Sequence, residues 1–181
     1  MSALYTPTYK PAGDEVAVFE TSKGTIEVKL DAEGAPIHVA NFCELAEKGF
    51  YDGTKFHRYV PGFVIQGGDP NSKNVTSQEA ASGRKADGSP IVPPLGTGGP
   101  GYCIKAEYRT NPNNKHNDAA LAMARSMAPD SAGSQFYFCL GPQHGLDRDY
   151  TVFGQTLSGQ DVIRQLRVGD ELVRVTIKHG A

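Results

Sequence analysis

The 181-residue chain has no tryptophan, only three cysteines, and no apolar run approaching the roughly 20 consecutive residues of a membrane-spanning helix. Cys43, Cys103 and Cys139 are odd in number, widely separated and form no CxxC pair. That spacing excludes a disulfide framework and a thiolate metal site, and the three read as buried, reduced thiols. The net charge of -2 provides no broad basic field, so nucleic acid is excluded as a partner. The first residues, MSALYTPTYKPAGDE, lack the charged-then-apolar pattern of a secretion signal and point to a cytoplasmic protein. The five histidines, His38, His57, His116, His144 and His179, are scattered without metal-ligand spacing. No internal repeat is present.

What is plentiful is punctuation. With 21 glycines and 12 prolines, the chain breaks into short strands of one-domain total length, which favours an all-β barrel or sandwich over a helix bundle. The stretch FHRYVPGFVIQGGDP, residues 56 to 70, reads as strand, turn and strand, with Pro61-Gly62 as the turn. Alternation places Val64 and Gln66 on one face and Ile65 on the other, while Phe63 at the turn exit has no face fixed by pattern. Arg58 brings a cationic arm among apolar neighbours, the usual composition of a small ligand site.

Elsewhere, Val16 to Glu20 and Thr25 to Leu30 alternate as a hairpin. Pro36 opens an amphipathic helix over about 36 to 48, ended by Gly49. Residues 1 to 13 form a polar, proline-bearing arm, for which disorder is the default expectation. Residues 71 to 95 lack a period and read as a surface loop, either a substrate-gating or partner-contact element or a tolerated insertion. The glycines of Gly96 to Gly101 follow Pro93-Pro94 rather than a strand, so they form a tight turn and no dinucleotide loop. Short strands are expected near Tyr102 to Ile104, around Leu121 to Met123, and at Tyr150 to Gln155. In Phe136 to Leu140, Phe136 and Phe138 face the core, while Gln135 and Tyr137 can join Val64 and Gln66. Gly159 to Leu166 reads as a second helix, and Leu172 to Ile177 as the last strand. Asp147 and Asp149 read as turn formers.

Three blocks, FHRYVPGFVIQGGDP, AMARSMAPDSAGSQFYFCL and LDRDYTVFGQ, resemble, in the same order, segments of the cyclophilin-type peptidyl-prolyl cis-trans isomerases, and the likeness runs from about Val16 to Ile177. The resemblance implies a closed eight-stranded antiparallel β-barrel capped by two α-helices. It makes residues 14 to 181 one domain, with about twenty extra residues in the 71 to 95 region. It implies isomerisation of X-Pro bonds in proline-containing polypeptides, by a monomer that needs no cofactor or metal.

The same resemblance implies that Arg58 is the catalytic arginine, acting with Phe63 and Gln66. Val64, Tyr137 and Leu146 complete the walls of the proline pocket around Phe63. Gln66 and Gln135 contact substrate backbone or position the arginine, Ala124 and Arg125 form the rim holding the peptide main chain, and Tyr150 matches a position often occupied by histidine or tyrosine. Gly145 stands where many members carry a tryptophan associated with cyclosporin binding, so weak cyclosporin affinity is expected. The alternative is a peptide-binding or chaperone module of the same shape with little isomerase activity; Val64, Tyr137 and Gly145 are the departures that keep it open. The chemistry asks for one fixed donor over an apolar pocket. Amide resonance sets a rotation barrier of about 18–20 kcal/mol, and in the twisted amide the nitrogen becomes pyramidal and accepts a hydrogen bond. A guanidinium supplies that donor at any working pH.

Overall fold

The computed structural model describes residues 4 to 180. The hairpin forms as expected: β1 (Glu15–Thr21) pairs antiparallel with β2 (Gly24–Leu30), with Val18 opposite Glu27 and Phe19 opposite Ile26. Next come helix α1 (Pro36–Glu47), β3 (Thr54–Lys55), β4 (Arg58–Val60) and β5 (Val64–Gly67). They are followed by helix α2 (Ser77–Ser82), β6 (Ala120–Met123), β7 (Phe136–Cys139), β8 (Val152–Ser158), helix α3 (Gln160–Gln165) and β9 (Glu171–His179). The strands make one curled antiparallel sheet in the order β3-β9-β1-β2-β8-β6-β7-β5-β4.

This differs in count from the eight strands and two helices anticipated. The run from Thr54 to Val60 is split between two partners. Thr54 and Lys55 pair with β9, whereas Arg58 to Val60 pair with β5. Tyr102 to Ile104 makes only isolated bridges, Cys103 to Leu4 and Ile104 to Ala132. The third helix, α2, lies inside the stretch taken for a loop. Thr76 caps it by accepting from the Glu79 amide, the Glu79 carboxylate accepts from the Thr76 amide, and Gly83 ends it at φ 78°. That reciprocal cap satisfies two donors that a helix start otherwise leaves open. Val75, Ala80 and Ile91 form a small core for this segment, with Leu95 packed against it.

The main core lies on one side of the sheet. Phe136 is its hub, with the rings of Phe19, Phe42, Tyr51, Phe56 and Phe138 around it at centroid distances of 5.5 to 6.2 Å. Helix α1 buries His38 to Ala46. Its first turn has no side-chain cap of its own. The distant Glu107 carboxylate accepts from the Ile37 amide at 3.0 Å and the His38 amide at 2.8 Å, and also meets His38 Nδ1 at 2.7 Å. An acidic group at a helix N-terminus complements both its open N–H groups and its dipole.

Residues 5 to 12 of the N-terminal arm are anchored, contrary to the default for a terminus, while its first three residues lie outside the described residues. Glu44 accepts from the Thr8 amide and hydroxyl, both at 2.9 Å, and from the Tyr5 hydroxyl; Glu15 accepts from the Ala12 amide at 2.7 Å and the Tyr9 hydroxyl at 3.1 Å. Two buried carboxylates thereby obtain the donors they need, and the arm loses its freedom in the exchange. No helix among the described residues is long and apolar enough to cross a membrane.

Candidate functional site

Strand alternation gives the sheet a second apolar face. Val64, Ala120, Ala122, Tyr137, Cys139 and Val152 are buried there, with Phe63, Ala124, Leu146 and Tyr150 packed against them. The register puts Gln66 opposite both Arg58 on β4 and Tyr137 on β7. Ile65, Phe136 and Phe138 face the main core, as the pattern requires. The left-handed turn at Gly62, φ 71°, brings Phe63 round onto the second face.

A cleft of about 420 Å³ opens on this face. Arg58, Phe63, Val64, Gln66, Ala124, Arg125, Tyr137, Leu146 and Tyr150 all line it, and Gln135 lines an adjoining cleft of about 930 Å³ that shares Gln66, Ala124 and Arg125. The residues singled out from the sequence are therefore brought together.

Arg58 and the two glutamines form a directed chain. Arg58 donates from its guanidinium to Gln66 Oε1 at 3.2 Å, Gln66 Nε2 donates to Gln135 Oε1 at 3.0 Å, and Gln135 Nε2 donates to the Gly98 carbonyl at 2.8 Å. Arginine has no acceptor, so the first bond fixes the orientation of both amides. The chain ties the arginine to the 96–101 turn through two half-buried side chains. Arg125 is engaged differently. Its guanidinium donates to the carbonyls of Asp149 at 2.9 Å, Ser126 at 3.0 Å and Met127 at 3.1 Å, and lies 4.8 Å from the Tyr150 ring centroid. It clips the rim loop to the 149–150 turn, a set of partners that no spacing announces.

Three further lining residues were not singled out: His57, Leu95 and Gly96. His57 precedes β4, so strand alternation does not carry it to the face opposite Arg58. Its two ring nitrogens are buried and have no hydrogen-bond partner among the described residues. Leu95 arrives from the α2 segment, and Asp69 holds that segment's end in place by accepting from the Gly96 amide.

Beneath the cleft wall lies an array that sequence spacing could not reveal. The Tyr137 hydroxyl meets His116 Nε2 at 2.8 Å, and His116 Nδ1 meets Asp147 Oδ1 at 2.8 Å. The exposed His144 meets the other oxygen, Asp147 Oδ2, at 3.0 Å. Asp147 is thus a partner of a buried histidine and more than a turn former. Burial lowers the pKa of His116 despite the neighbouring carboxylate. Burial alone would raise that of Asp147, but hydrogen bonds from the His116 amide and ring and from His144 hold it below the usual carboxylate value. Burial pushes the Tyr137 hydroxyl up.

Burial also lowers the pKa of His57. For both His57 and His116 the unfolded chain, with pKa about 6.5, takes a proton that the folded protein refuses. Stability is therefore expected to fall as pH drops below about 6.5, down to the folded pKa values. His179 acts in the opposite sense, because its hydrogen bond to Asp14 raises its pKa. Urea unfolding at pH 7.5, 6.5 and 5.5 checks this: His57→Gln and His116→Gln should each flatten the decline, and an unchanged slope in both would contradict it.

Sheet and cleft define a mostly β protein whose core occupies one face while an apolar, arginine-edged cleft occupies the other. The chain belongs to the cyclophilin-type peptidyl-prolyl cis-trans isomerase family. The family profile, described as cyclophilin type peptidyl-prolyl cis-trans isomerase/CLD, matches residues 16–179. A peptidyl-prolyl cis-trans isomerase of Synechococcus elongatus is 40% identical over 163 residues, covering 89% of this chain and 94% of its own length. Peptidyl-prolyl cis-trans isomerase B of Bacillus subtilis is 40% identical, covering 84% of this chain and 90% of its own. Among solved structures, a cyclophilin from Hirschia baltica superposes with a TM-score of 0.64 at 26% identity, covering 92% of this chain and 75% of that one.

Proposed function

We propose that this chain catalyses rotation about X-Pro bonds in flexible, proline-containing polypeptides, with Arg58 donating to the amide nitrogen as the bond twists. The observation that carries this is the placement of a tethered guanidinium at the edge of an apolar cleft. Phe63, Val64, Tyr137 and Leu146 grip the proline ring, and Ala124 with Arg125 forms the rim along which the peptide main chain lies. Gln66 and Gln135 hold the arginine in register, so its remaining donors need not reorganise during the reaction.

No bond is made or broken. In the planar amide the nitrogen lone pair is delocalised and accepts poorly. In the twisted amide it is localised and accepts well. A donor at that point stabilises the transition state more than either planar isomer, which is the condition for lowering a barrier. The apolar walls lower the local dielectric and strengthen the bond. Gly145 leaves the adjoining wall without an aromatic side chain, which supports weak cyclosporin binding. We also read the sheet as a barrel joined through residues 54 to 60, because those residues bond to both of its ends.

The test is magnetisation exchange or protease-coupled exchange of a short X-Pro peptide. Spontaneous exchange takes tens to hundreds of seconds, so acceleration is easily seen. Acceleration by catalytic amounts of protein is expected. Tight binding of the peptide with no acceleration would instead identify a peptide-binding module.

A further inference from the structure

The Tyr137–His116–Asp147 array joins two cleft walls that stand nine residues apart in the chain. Tyr137 belongs to β7, whereas Leu146 sits in a short turn, His144–Leu146, with Asp147 immediately after it. The turn follows β7 after residues 140–143, and no ladder bond holds it against that strand. His116 does. Its ring stacks beside the Tyr137 ring with an interplanar angle of 13° and a centroid separation of 5.9 Å, and its amide also donates to Asp147 Oδ1 at 2.7 Å. Two residues earlier, Asn114 donates to the carbonyls of Asp147 at 2.6 Å and Tyr150 at 3.0 Å, and accepts from the Val152 amide at 2.8 Å. The segment 114–116 therefore fastens the whole 144–150 turn against the sheet.

The protons in this array have one consistent arrangement. An ionised carboxylate only accepts, so His116 Nδ1 carries the hydrogen given to Asp147. Neutral His116 then presents a lone pair at Nε2, and the Tyr137 hydroxyl donates into it. Every buried polar group in the array is satisfied, and the hydroxyl tethers the tyrosine ring at its outer end. A phenylalanine at residue 137 would have no such tether.

We propose that His116 is a specificity-determining, positioning residue. Acting through the Tyr137 hydroxyl and the Asp147 carboxylate, it fixes the separation of the Tyr137 and Leu146 walls to suit the five-membered proline ring. The inference rests on the isomerase reading and deepens it: the substrate class is set by ring size at this wall. The discriminating substrate is a peptide carrying pipecolic acid, the six-membered homologue of proline with one more methylene.

The experiment compares kcat/KM for Ala-Pro and Ala-pipecolyl peptides, with peptide affinities titrated in parallel, in wild type, His116→Leu, Tyr137→Phe and the double variant. A well-fitted pocket distinguishes one methylene by about tenfold or more, and wild type should favour proline by at least that factor. In His116→Leu the preference should shrink to about threefold or less, because the proline reaction slows while the larger ring is better tolerated. Tyr137→Phe, which removes a single oxygen and cuts the same link from the other end, should narrow the preference in the same direction. The double variant should lie close to the single ones, since both break one connection. Preservation of the wild-type ratio in both single variants, or an equal loss on both peptides, would overturn the proposal. If wild type accelerates neither peptide, the isomerase reading fails, and the affinity ratio still decides the role of His116: a ratio that narrows in the variants supports it and an unchanged ratio refutes it.

Discussion

Arg58→Ala is expected to slow catalysed X-Pro exchange by about a hundred- to a thousandfold, the usual effect of deleting one preorganised transition-state donor. The loss should fall on kcat, with peptide affinity changing little, because the planar amide offers the arginine no good acceptor. Folding should be barely affected. Arg58 is exposed, its hydrogen bond is to Gln66 at 3.2 Å, and surface substitutions away from buried features usually cost within about 0.5 kcal/mol. Arg58→Lys should recover little, since an ammonium on a flexible stem cannot hold both Gln66 and a second acceptor in a planar fork. Exchange rates with folded variants and saturating peptide make the measurement. Near-wild-type kcat in Arg58→Ala would remove the arginine from the centre of the mechanism.

Phe136→Ala is expected to cost about 3–5 kcal/mol of stability, the range for emptying a large aromatic site in a packed core. Phe136 is fully buried and meets five aromatic rings, all of them edge to face, so no single neighbour can swing in to refill the space. Its neighbours in sequence, Gln135 and Tyr137, both belong to the site. The molecules that remain folded should still turn over substrate, because backbone pairing of β7 with β5 and β6 does not depend on the ring. Urea unfolding, read with activity at low denaturant, separates the two effects. A midpoint shift equivalent to less than about 1 kcal/mol would show that the core collapses around the cavity instead.

Period-two alternation carried the face assignments, while the roles of Arg58, Ala124, Arg125, Leu146 and Tyr150 came only from the family resemblance. It assigned Val64 and Gln66 to one face and Phe136 and Phe138 to the other because side chains on a strand have no third option. It could not say which partner a strand takes, so the run from Thr54 to Val60 gave no sign of its division between β9 and β5. Helix α2 was legible in principle: Thr76 and Glu79 have the spacing of a reciprocal cap, and Gly83 follows. The prolines and small residues around it drew the reading toward loop. His116 was beyond reach. Its partners lie 21 and 31 residues away, with no spacing that announces them, and only the folded sheet brings them together. Leu95 was hidden for the same reason, because its place depends on a small core assembled from Val75, Ala80 and Ile91.

The division of residues 54 to 60 bears on how activity arises during folding. The Phe56 amide donates to Asp170 on the β9 side at 3.0 Å, while the very next amide, His57, donates to Gln66 on β5 at 3.0 Å. Two consecutive peptide units therefore reach toward β9 and β5, the next-to-last strands at either end of the order, and Arg58 is the next residue after this seam. Bonds spanning over a hundred residues form slowly, since the chain's ends must be brought together before the contact repays the lost entropy. The β4–β5 hairpin that carries Arg58 closes locally, whereas the backbone of Phe56, two residues before it, finds its partners only at Gly169 and Asp170. The strand that presents the arginine is therefore local in its pairing but secured at its leading end by residues more than a hundred positions later.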